Sequence, residues 1–153
     1  METDIAVVIL WLFVLDLGLA AGAGIYEARI VVPLWGSAPP QSLHSPDSGR
    51  RFWAFLTTVP LTLLVVAGAA AVAIVPMDEL RRLWWMIGLG LVAVERGATF
   101  LYFIPTMNHL RRAEDFAWQD VRRKFAVWTA LNYGRIGLTL LAWFAALKAL
   151  MPH

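Results

Sequence analysis

Long apolar stretches alternate with short polar segments along this chain. Each stretch is close to the roughly 20 residues that an α-helix needs to cross a bilayer core of about 30 Å. An open strand could not take its place, because its backbone N–H and C=O groups would lack partners in lipid. The pattern therefore predicts four transmembrane helices, with apolar spans at Ile5–Tyr26, Phe52–Val75, Leu83–Ile104 and Phe125–Leu147.

The connecting segments set the expected architecture. The first, around Gly36–Ser42, contains two adjacent prolines and cannot continue a helix, whereas Pro76–Glu79 is short enough for a tight turn. Pro60 and Pro105 are expected to kink the second and third helices. We therefore expect one all-α domain over residues 1–153, a four-transmembrane-helix bundle that runs up-down-up-down. Its helices are expected at about 5–32, 52–75, 80–108 and 123–149, with a loop at 33–51.

Composition supports a membrane protein and removes several other classes. Hydrophobic residues make up 59% of the chain and charged residues 16%, against about 45–50% and about 25% in soluble domains. The absence of cysteine excludes disulfides, cysteine-ligated metals and thiol catalysis. A net charge of +2 gives no indication of a nucleic-acid partner. The expected partners are the lipid bilayer and a small apolar or aromatic molecule, and a homo-oligomer is compatible with the sequence.

The distribution of Lys and Arg predicts the orientation. Eight of these residues lie in the loops after the first and third helices, and three lie on the opposite side. Because basic loops stay in the cytoplasm, both termini are predicted to be extracytoplasmic in a multi-pass protein of the cell membrane. The acidic N-terminal segment Met1–Asp4 is not typical of a cleaved signal peptide.

Four ionisable residues lie inside the predicted spans. With alternating helix directions they reach a similar depth, so two acids and two bases can neutralise one another: Asp16, Glu95, Arg96 and Arg135. One interpretation is an interhelical ion-pair network that fixes packing, and the other is the floor of a binding site. The structural role is favoured for Asp16, while both interpretations stay open for Glu95 and Arg135.

Polar and small residues follow helical spacing on three of the predicted helices. Residues three or four apart share one helix face, which inside a membrane faces the bundle interior or a cavity. The second helix lacks charge and is interpreted as scaffold. We expect a polar pocket that opens toward the cytoplasmic loops, with the following lining. The first helix contributes Asp16, Ala20, Ala23 and Glu27, the third Glu95, Thr99, Tyr102, Thr106 and His109, and the fourth Trp128, Asn132, Arg135 and Thr139.

Two histidines lie on the side to which this pocket opens. His109 follows the third helix and is a candidate general base, since histidine titrates nearest neutral pH. Alternatively, His44 and His109 could join Glu27 in a transition-metal site, although no metal-binding histidine spacing is present. The cofactor is therefore left open between none and one transition-metal ion. Trp35, beyond Pro33, is expected either to cap the pocket or to belong to the aromatic belt.

Three short motifs stand near the helix ends. They are Gly22–Glu27 followed by Val32–Trp35, the segment Ile104–Leu110 with Pro105 and Asn108, and the set Trp128, Asn132 and Arg135. Together these motifs resemble elements of the anthrone-oxygenase-like small membrane proteins, most of which have no known function.

The resemblance implies a four-helix membrane fold. Its few studied members are linked to the oxygenation of anthrones to anthraquinones in polyketide pathways, with no obvious organic cofactor. The positions that match the family are Glu27, Trp35, Asn108, Asn132 and Arg135, whereas Glu95 and Arg96 lie outside its pattern.

An oxygenation of this kind makes definite chemical demands. An anthrone is an acidic carbon acid, and its carbanion can pass an electron to dioxygen, so the site needs a base, oxyanion-stabilising groups and an apolar cavity. We assign the base to His109 or Glu27 and the oxyanion contacts to Asn132 and Arg135. Substrate contacts are assigned to Trp35, Tyr102, Asn108 and Trp128.

Two functional hypotheses follow from these observations. The first is a membrane oxygenase or related oxidoreductase that acts on a small apolar aromatic molecule. The alternative is a non-catalytic membrane module that binds a small molecule, assists transport or takes part in assembly.

Overall fold

The described part of the chain is built from helices. The computed structural model describes residues 2–38, 41–44, 54–112 and 118–151, within which there is no strand. Three composite helices and one regular helix are present there. Helix I is α1 (Glu2–Tyr26), π1 (Glu27–Val31) and α2 (Val32–Trp35), and helix II is π2 (Ala54–Thr58) and α3 (Val59–Ile74). Helix III is α4 (Glu79–Ala98), π3 (Thr99–Phe103) and α5 (Ile104–Arg111), and helix IV is α6 (Trp118–Leu150). A short 3₁₀ turn, Gln41–His44, follows helix I.

The all-α prediction is confirmed, and the helix bounds change mainly near Pro33. Helix I was expected to end before Pro33, but it continues to Trp35, because π1 directly precedes α2 and its wide turn moves aside the carbonyl with which the proline ring would clash. Helix IV begins at Trp118, ahead of the expected residue 123. The expected start of the second helix at Phe52 lies outside the described residues, as do residues 39–40 and 45–51 of the expected loop 33–51.

Three helices are long and apolar enough to cross a membrane. They cover Asp4–Trp35, Glu79–Arg111 and Gln119–Leu150. The fourth predicted span is represented by α3, an apolar helix of 16 residues, or roughly 24 Å at 1.5 Å per residue. Large apolar side chains cover the outer surfaces, among them Leu101, which is 84% exposed, and Leu63, which is 65% exposed. Such extensive apolar exposure is typical of a surface that faces lipid.

The helices pack in a closed ring in the order I, II, III, IV. α1 contacts α3 and α6, and α4 contacts the same two helices from the other side. Helices II and III are joined by the predicted tight turn, and Asp78 caps helix III by accepting a hydrogen bond from the Arg81 backbone N–H at 2.9 Å. Because this turn is short, helices II and III are antiparallel neighbours.

Two apolar clusters occupy the two ends of the ring. We call the end with the II–III turn the turn end and the opposite end the cavity end. The turn-end core includes Phe13, Leu17, Trp85, Val92, Ala142 and Ala146. The cavity-end core includes Val32, Trp35, Phe103, Leu110, Phe125 and Trp128. The buried polar side chains Asp16, Glu95, Thr99, Asn132 and Thr139 belong to neither cluster.

Candidate functional site

A cavity of about 330 Å³ lies between the four helices. All three π-helical segments of the described chain contribute to its wall, and helix IV completes it. Its lining comprises Ala20, Ala23, Gly24, Glu27 and Trp35 of helix I and Thr57 and Thr58 of helix II. Helix III adds Glu95, Arg96, Thr99, Phe103, Ile104, Met107 and Asn108, and helix IV adds Trp128, Arg135, Ile136 and Thr139.

Each π segment is followed by a proline at the same offset. Pro33, Pro60 and Pro105 are the second residues of α2, α3 and α5. A proline ring clashes with the carbonyl four residues before it, and a wide turn, in which N–H groups bond five residues back, moves that carbonyl aside. Two such bonds are present, from Val32 N–H to Glu27 O and from Ile104 N–H to Thr99 O. The prolines therefore account for the wide turns. In the sequence, each wide turn is followed by the same kind of dipeptide, a Val or Ile and then Pro, and this dipeptide is the signal that predicts it.

The wide turn in helix III changes which residues face inward. The helical spacing of polar residues predicted Tyr102, Thr106 and His109 on the interior face of helix III. The residues that are buried there are instead Phe103, Met107 and Leu110. Every position beyond Thr99 is displaced by one residue, because a π turn holds one residue more than an α turn. One residue corresponds to a rotation of about 100°. Upstream of the turn the prediction is correct, since Glu95 and Thr99 line the cavity.

Arg135 is the centre of the polar wall. Its Nε donates to Asn132 Oδ1 at 3.0 Å, and its Nη1 donates to Thr99 Oγ1 at 3.4 Å. Its two Nη atoms each lie 3.6 Å from a carboxylate oxygen, one on Glu27 and the other on Glu95. The predicted pairing of Arg135 with an acid from helix I or III is therefore confirmed, and it includes both helices.

This arrangement leaves the guanidinium able to meet a ligand. A separation of 3.6 Å is an ion pair that is longer than a direct hydrogen bond. The Arg135 side chain is 18% exposed, and its Cζ lies 5.2 Å from the centroid of the Phe103 ring. The ring contact and the Asn132 bond hold the guanidinium in place. N–H donors of Arg135 can therefore reach a polar atom inside the cavity.

Glu95 and Arg96 form the deeper part of this network. The Arg96 Nε donates to Glu95 Oε2 at 2.5 Å, and the Thr99 hydroxyl donates to Glu95 Oε1 at 3.1 Å. The Glu95 side chain is only 2% exposed, while Glu27 is 28% exposed. Glu27 is thus the more accessible of the two acids that line the cavity.

Asp16 was expected to join the same charge network, and in the described part of the chain it does so only through the electrostatic attraction of Arg96, without a direct ion pair. It is 7% exposed and does not line the cavity. Among the described residues its Oδ2 has no hydrogen-bond partner, and no ion pair includes it. Glu27 lies about three helical turns nearer the cavity end than Asp16. It is the acid of helix I that pairs with Arg135.

Aromatic side chains form a wall at the cavity end. The Phe125 and Trp128 rings are stacked with centroids 6.1 Å apart, and Trp35 and Phe103 lie 6.3 and 5.7 Å from Trp128. The indole N–H of Trp128 donates to the Phe103 backbone oxygen at 3.2 Å. Both predicted tryptophans therefore line the cavity as buried wall residues and not as an exposed rim.

Two predicted site residues lie elsewhere. Tyr102 and His109 line a second, open pocket with Arg123 and Lys124. Their predicted convergence with Glu27 and Arg135 is wrong, and the cause is the one-residue displacement beyond the wide turn. Asn132 is buried behind Arg135 and supports it without lining the cavity, whereas Asn108 does line the cavity.

The candidate metal set is not assembled in the described part of the chain. Glu27 and His109 line different pockets, and the His44 side chain lies outside the described residues. No three His, Cys, Asp or Glu side chains among the described residues are grouped to hold a metal ion.

The sequence interpretation missed the contribution of helix II. Interpreted as scaffold, this helix in fact supplies Thr57 and Thr58, directly before Val59 and Pro60. The Thr58 backbone oxygen accepts a hydrogen bond from the Thr62 hydroxyl at 2.7 Å. Two threonines placed before a proline in an otherwise apolar span are the signal that could have identified this part of the wall.

No family model, curated protein or solved structure matches this chain. The resemblance to the anthrone-oxygenase-like family therefore rests on its short motifs. Of the five positions that carry it, Glu27, Trp35, Asn108 and Arg135 line one cavity, and Asn132 supports Arg135.

Proposed function

We propose that this chain is a membrane-bound oxygenase or related oxidoreductase that acts on a small apolar aromatic molecule in the Arg135 cavity. The observation that carries the proposal is the placement of an accessible carboxylate, Glu27, beside the Arg135 guanidinium in a cavity with an aromatic wall. A volume of about 330 Å³ is near the lower limit of ligand pockets, about 300 Å³. It suits a compact ring system with one oxygenated edge.

The chemistry can be written for an anthrone-type substrate. The Glu27 carboxylate takes a proton from the methylene carbon between the two aryl rings, and Arg135 stabilises the oxygen on which the negative charge is delocalised. The carbanion then combines with dioxygen, and the resulting peroxide anion takes the proton back from the Glu27 carboxylic acid to form a hydroperoxide. Loss of water converts that carbon to a carbonyl, so one oxygen atom enters the product and the other leaves as water. Dioxygen is the oxidant, and the balance requires no external reductant.

The residue assignments within this proposal differ from the sequence expectation at three residues: His109, Tyr102 and Asn132. Glu27 is the base, since His109 lies in the other pocket. Asn132 acts by orienting Arg135 through their 3.0 Å hydrogen bond. Trp35, Trp128 and Phe103 provide apolar walls, and Asn108 provides a further polar contact.

The test separates binding from turnover. Purified protein in nanodiscs is given a hydroxylated anthrone, and oxygen uptake and quinone absorbance are followed. We expect turnover by the unmodified chain. The Glu27→Gln variant should retain binding and lose about 100-fold in rate, the usual lower range for a general base. Glu79→Gln, which changes an exposed acid at the other end of the bundle, is the matched control.

The alternative is a non-catalytic binding module for the same class of molecule. It is favoured by the mutual neutralisation of the cavity charges, since Glu27, Glu95, Arg96 and Arg135 form one balanced set. Tight anthrone binding without oxygen uptake would support this alternative. Absence of both binding and turnover would overturn the proposal for this substrate class.

A further inference from the structure

The second pocket is a groove on the outer surface between α5 and the beginning of α6. It has a volume of about 600 Å³ and is lined by Tyr102, Pro105, Thr106, His109, Asp120, Arg123, Lys124 and Val127. None of these residues lines the Arg135 cavity. The groove is therefore separate from the site proposed for oxygenation, and the inference below does not depend on that activity.

The lining changes from charged to apolar along the helix axes. At the outer end, Lys124 Nζ lies 3.3 Å from His109 Nε2, and Arg123 and Asp120 stand on the same stretch of α6. Farther along the helix axes, toward the middle of the two helices, the lining consists of Pro105, Tyr102 and Val127. A phospholipid has the same order of chemistry, with a charged phosphate, then a polar backbone and then acyl chains.

The outer surfaces of the two helices also carry apolar side chains about one helical turn deeper than Pro105 and Val127. Leu101 is 84% exposed and Leu131 is 49% exposed, one on each of the two helices that form the groove. Acyl chains that leave the groove would lie on these side chains. A soluble phosphate compound has no apolar chains that could contact these side chains.

Charge determines which class of lipid fits. Arg123 and Lys124 are cationic and Asp120 is the one carboxylate in the lining, so these three side chains leave one net positive charge. Basic pockets between membrane helices bind anionic lipid headgroups. The Asp120 carboxylate would repel a second negative charge, but it can accept a hydrogen bond from a headgroup hydroxyl.

We propose that this groove binds an anionic phospholipid with a single negative charge and a hydroxyl-bearing headgroup, such as phosphatidylglycerol. Arg123 and Lys124 contact its phosphate, and Asp120 accepts a hydrogen bond from the headgroup. Tyr102, Pro105 and Val127 contact the glycerol and the first part of the acyl chains.

The test uses short-chain phosphatidylglycerol, titrated into the full-length protein in neutral detergent and monitored by native mass spectrometry. Two neighbouring arginines provide a matched pair, because Arg123 lines the groove and Arg122 is exposed outside it. We expect Arg123→Gln to weaken binding about fivefold, the order contributed by one basic residue near an anionic lipid. Arg122→Gln should leave binding unchanged, and Asp120→Asn should relax the preference for a hydroxyl-bearing headgroup.

Three outcomes would overturn the proposal. Equal losses in Arg122→Gln and Arg123→Gln would show attraction by the general basic surface instead of a site. Equal binding of short-chain phosphatidylcholine would remove the requirement for negative charge. Equal binding of glycerophosphoglycerol, which is the headgroup without acyl chains, would assign the groove to a soluble phosphodiester instead of a lipid.

Discussion

The two ends of the bundle are built in different ways. At the turn end, α1, α4 and α6 are regular helices, and the core between them is apolar, with the small residues Ala142 and Ala146 fully buried. At the cavity end, helices I, II and III each contain a π segment before a proline, and charged groups are buried beside an open volume. Both ends therefore have an apolar core, but only the cavity end combines it with an ion-pair network around a cavity.

This difference explains where function is expected. A close-packed end has no room for a ligand, and its side chains serve only the fold. Wide turns are less regular than α-helix and are frequent at functional sites, because they redirect side chains. In this molecule each of the three wide turns contributes a residue to one volume: Glu27, Thr58 and Thr99. The following predictions test whether the two ends differ in this way.

The largest effect is expected for Arg135→Leu. This change leaves Glu95, which is 2% exposed, without its interhelical partner, and loss of one member of a buried pair costs about 3–5 kcal/mol. The free energy of unfolding in detergent should fall by this order, and ligand binding should be lost. Denaturant titration and a binding assay measure the two effects.

The turn end supplies the contrast for this prediction. Phe13 is fully buried in the turn-end core, so Phe13→Ala should also destabilise the protein, by about 3 kcal/mol. In this variant, ligand binding to the folded fraction should be unchanged. Normal stability and binding in Arg135→Leu would show that Arg135 is not required at the cavity end.

A smaller effect on stability, of about 1 kcal/mol, is expected for Pro105→Ala. Without the proline ring, π3 can close into an α turn, which rotates α5 by about 100°. The outcome is detectable because the chain contains no cysteine. With Pro105 in place, the cysteine of His109→Cys should react with a maleimide, and the cysteine of Met107→Cys should be protected. Pro105→Ala should reverse this order.

Pro60→Ala is the control for the register change. It removes a proline at the same offset from a wide turn, but in helix II. Reactivity at positions 107 and 109 should therefore stay as in the parent. If Pro105→Ala also leaves the two reactivities unchanged, the wide turn in helix III does not depend on its proline.

The smallest effect on the free energy of unfolding is expected when either of two glycines of helix I, Gly18 or Gly22, is replaced by alanine. A Cβ at Gly18 would lie 3.2 Å from the Trp143 ring, whereas a Cβ at Gly22 would meet no atom within 4 Å. Gly22→Ala should raise the free energy of unfolding by up to about 1 kcal/mol through helix propensity. Gly18→Ala should gain less, since the indole must move. Equal gains in a thermal denaturation series would show that Gly18 is not in close contact with helix IV.

Much of the site could be predicted where the helix is regular. On helix I, the spacing that predicted Ala20, Ala23 and Glu27 on one face is confirmed by the cavity lining. On helix IV, the same rule is correct for Trp128, Arg135 and Thr139, and α6 is α-helical throughout. On helix III it holds to Thr99 and fails from Tyr102 onward, where π3 begins to displace the register.

The sequence by itself determined the helical class, the approximate helix positions and the acids and bases that are buried. These properties depend on local hydrophobicity and on the cost of unpaired charge, which each segment carries regardless of its neighbours. Only the tertiary structure decided that Glu27 and not Asp16 meets Arg135, that His109 faces a second groove and that helix II contributes Thr57 and Thr58. The physical reason is that one additional residue in a turn rotates everything after it, and that side chains from separate helices meet only when those helices pack together.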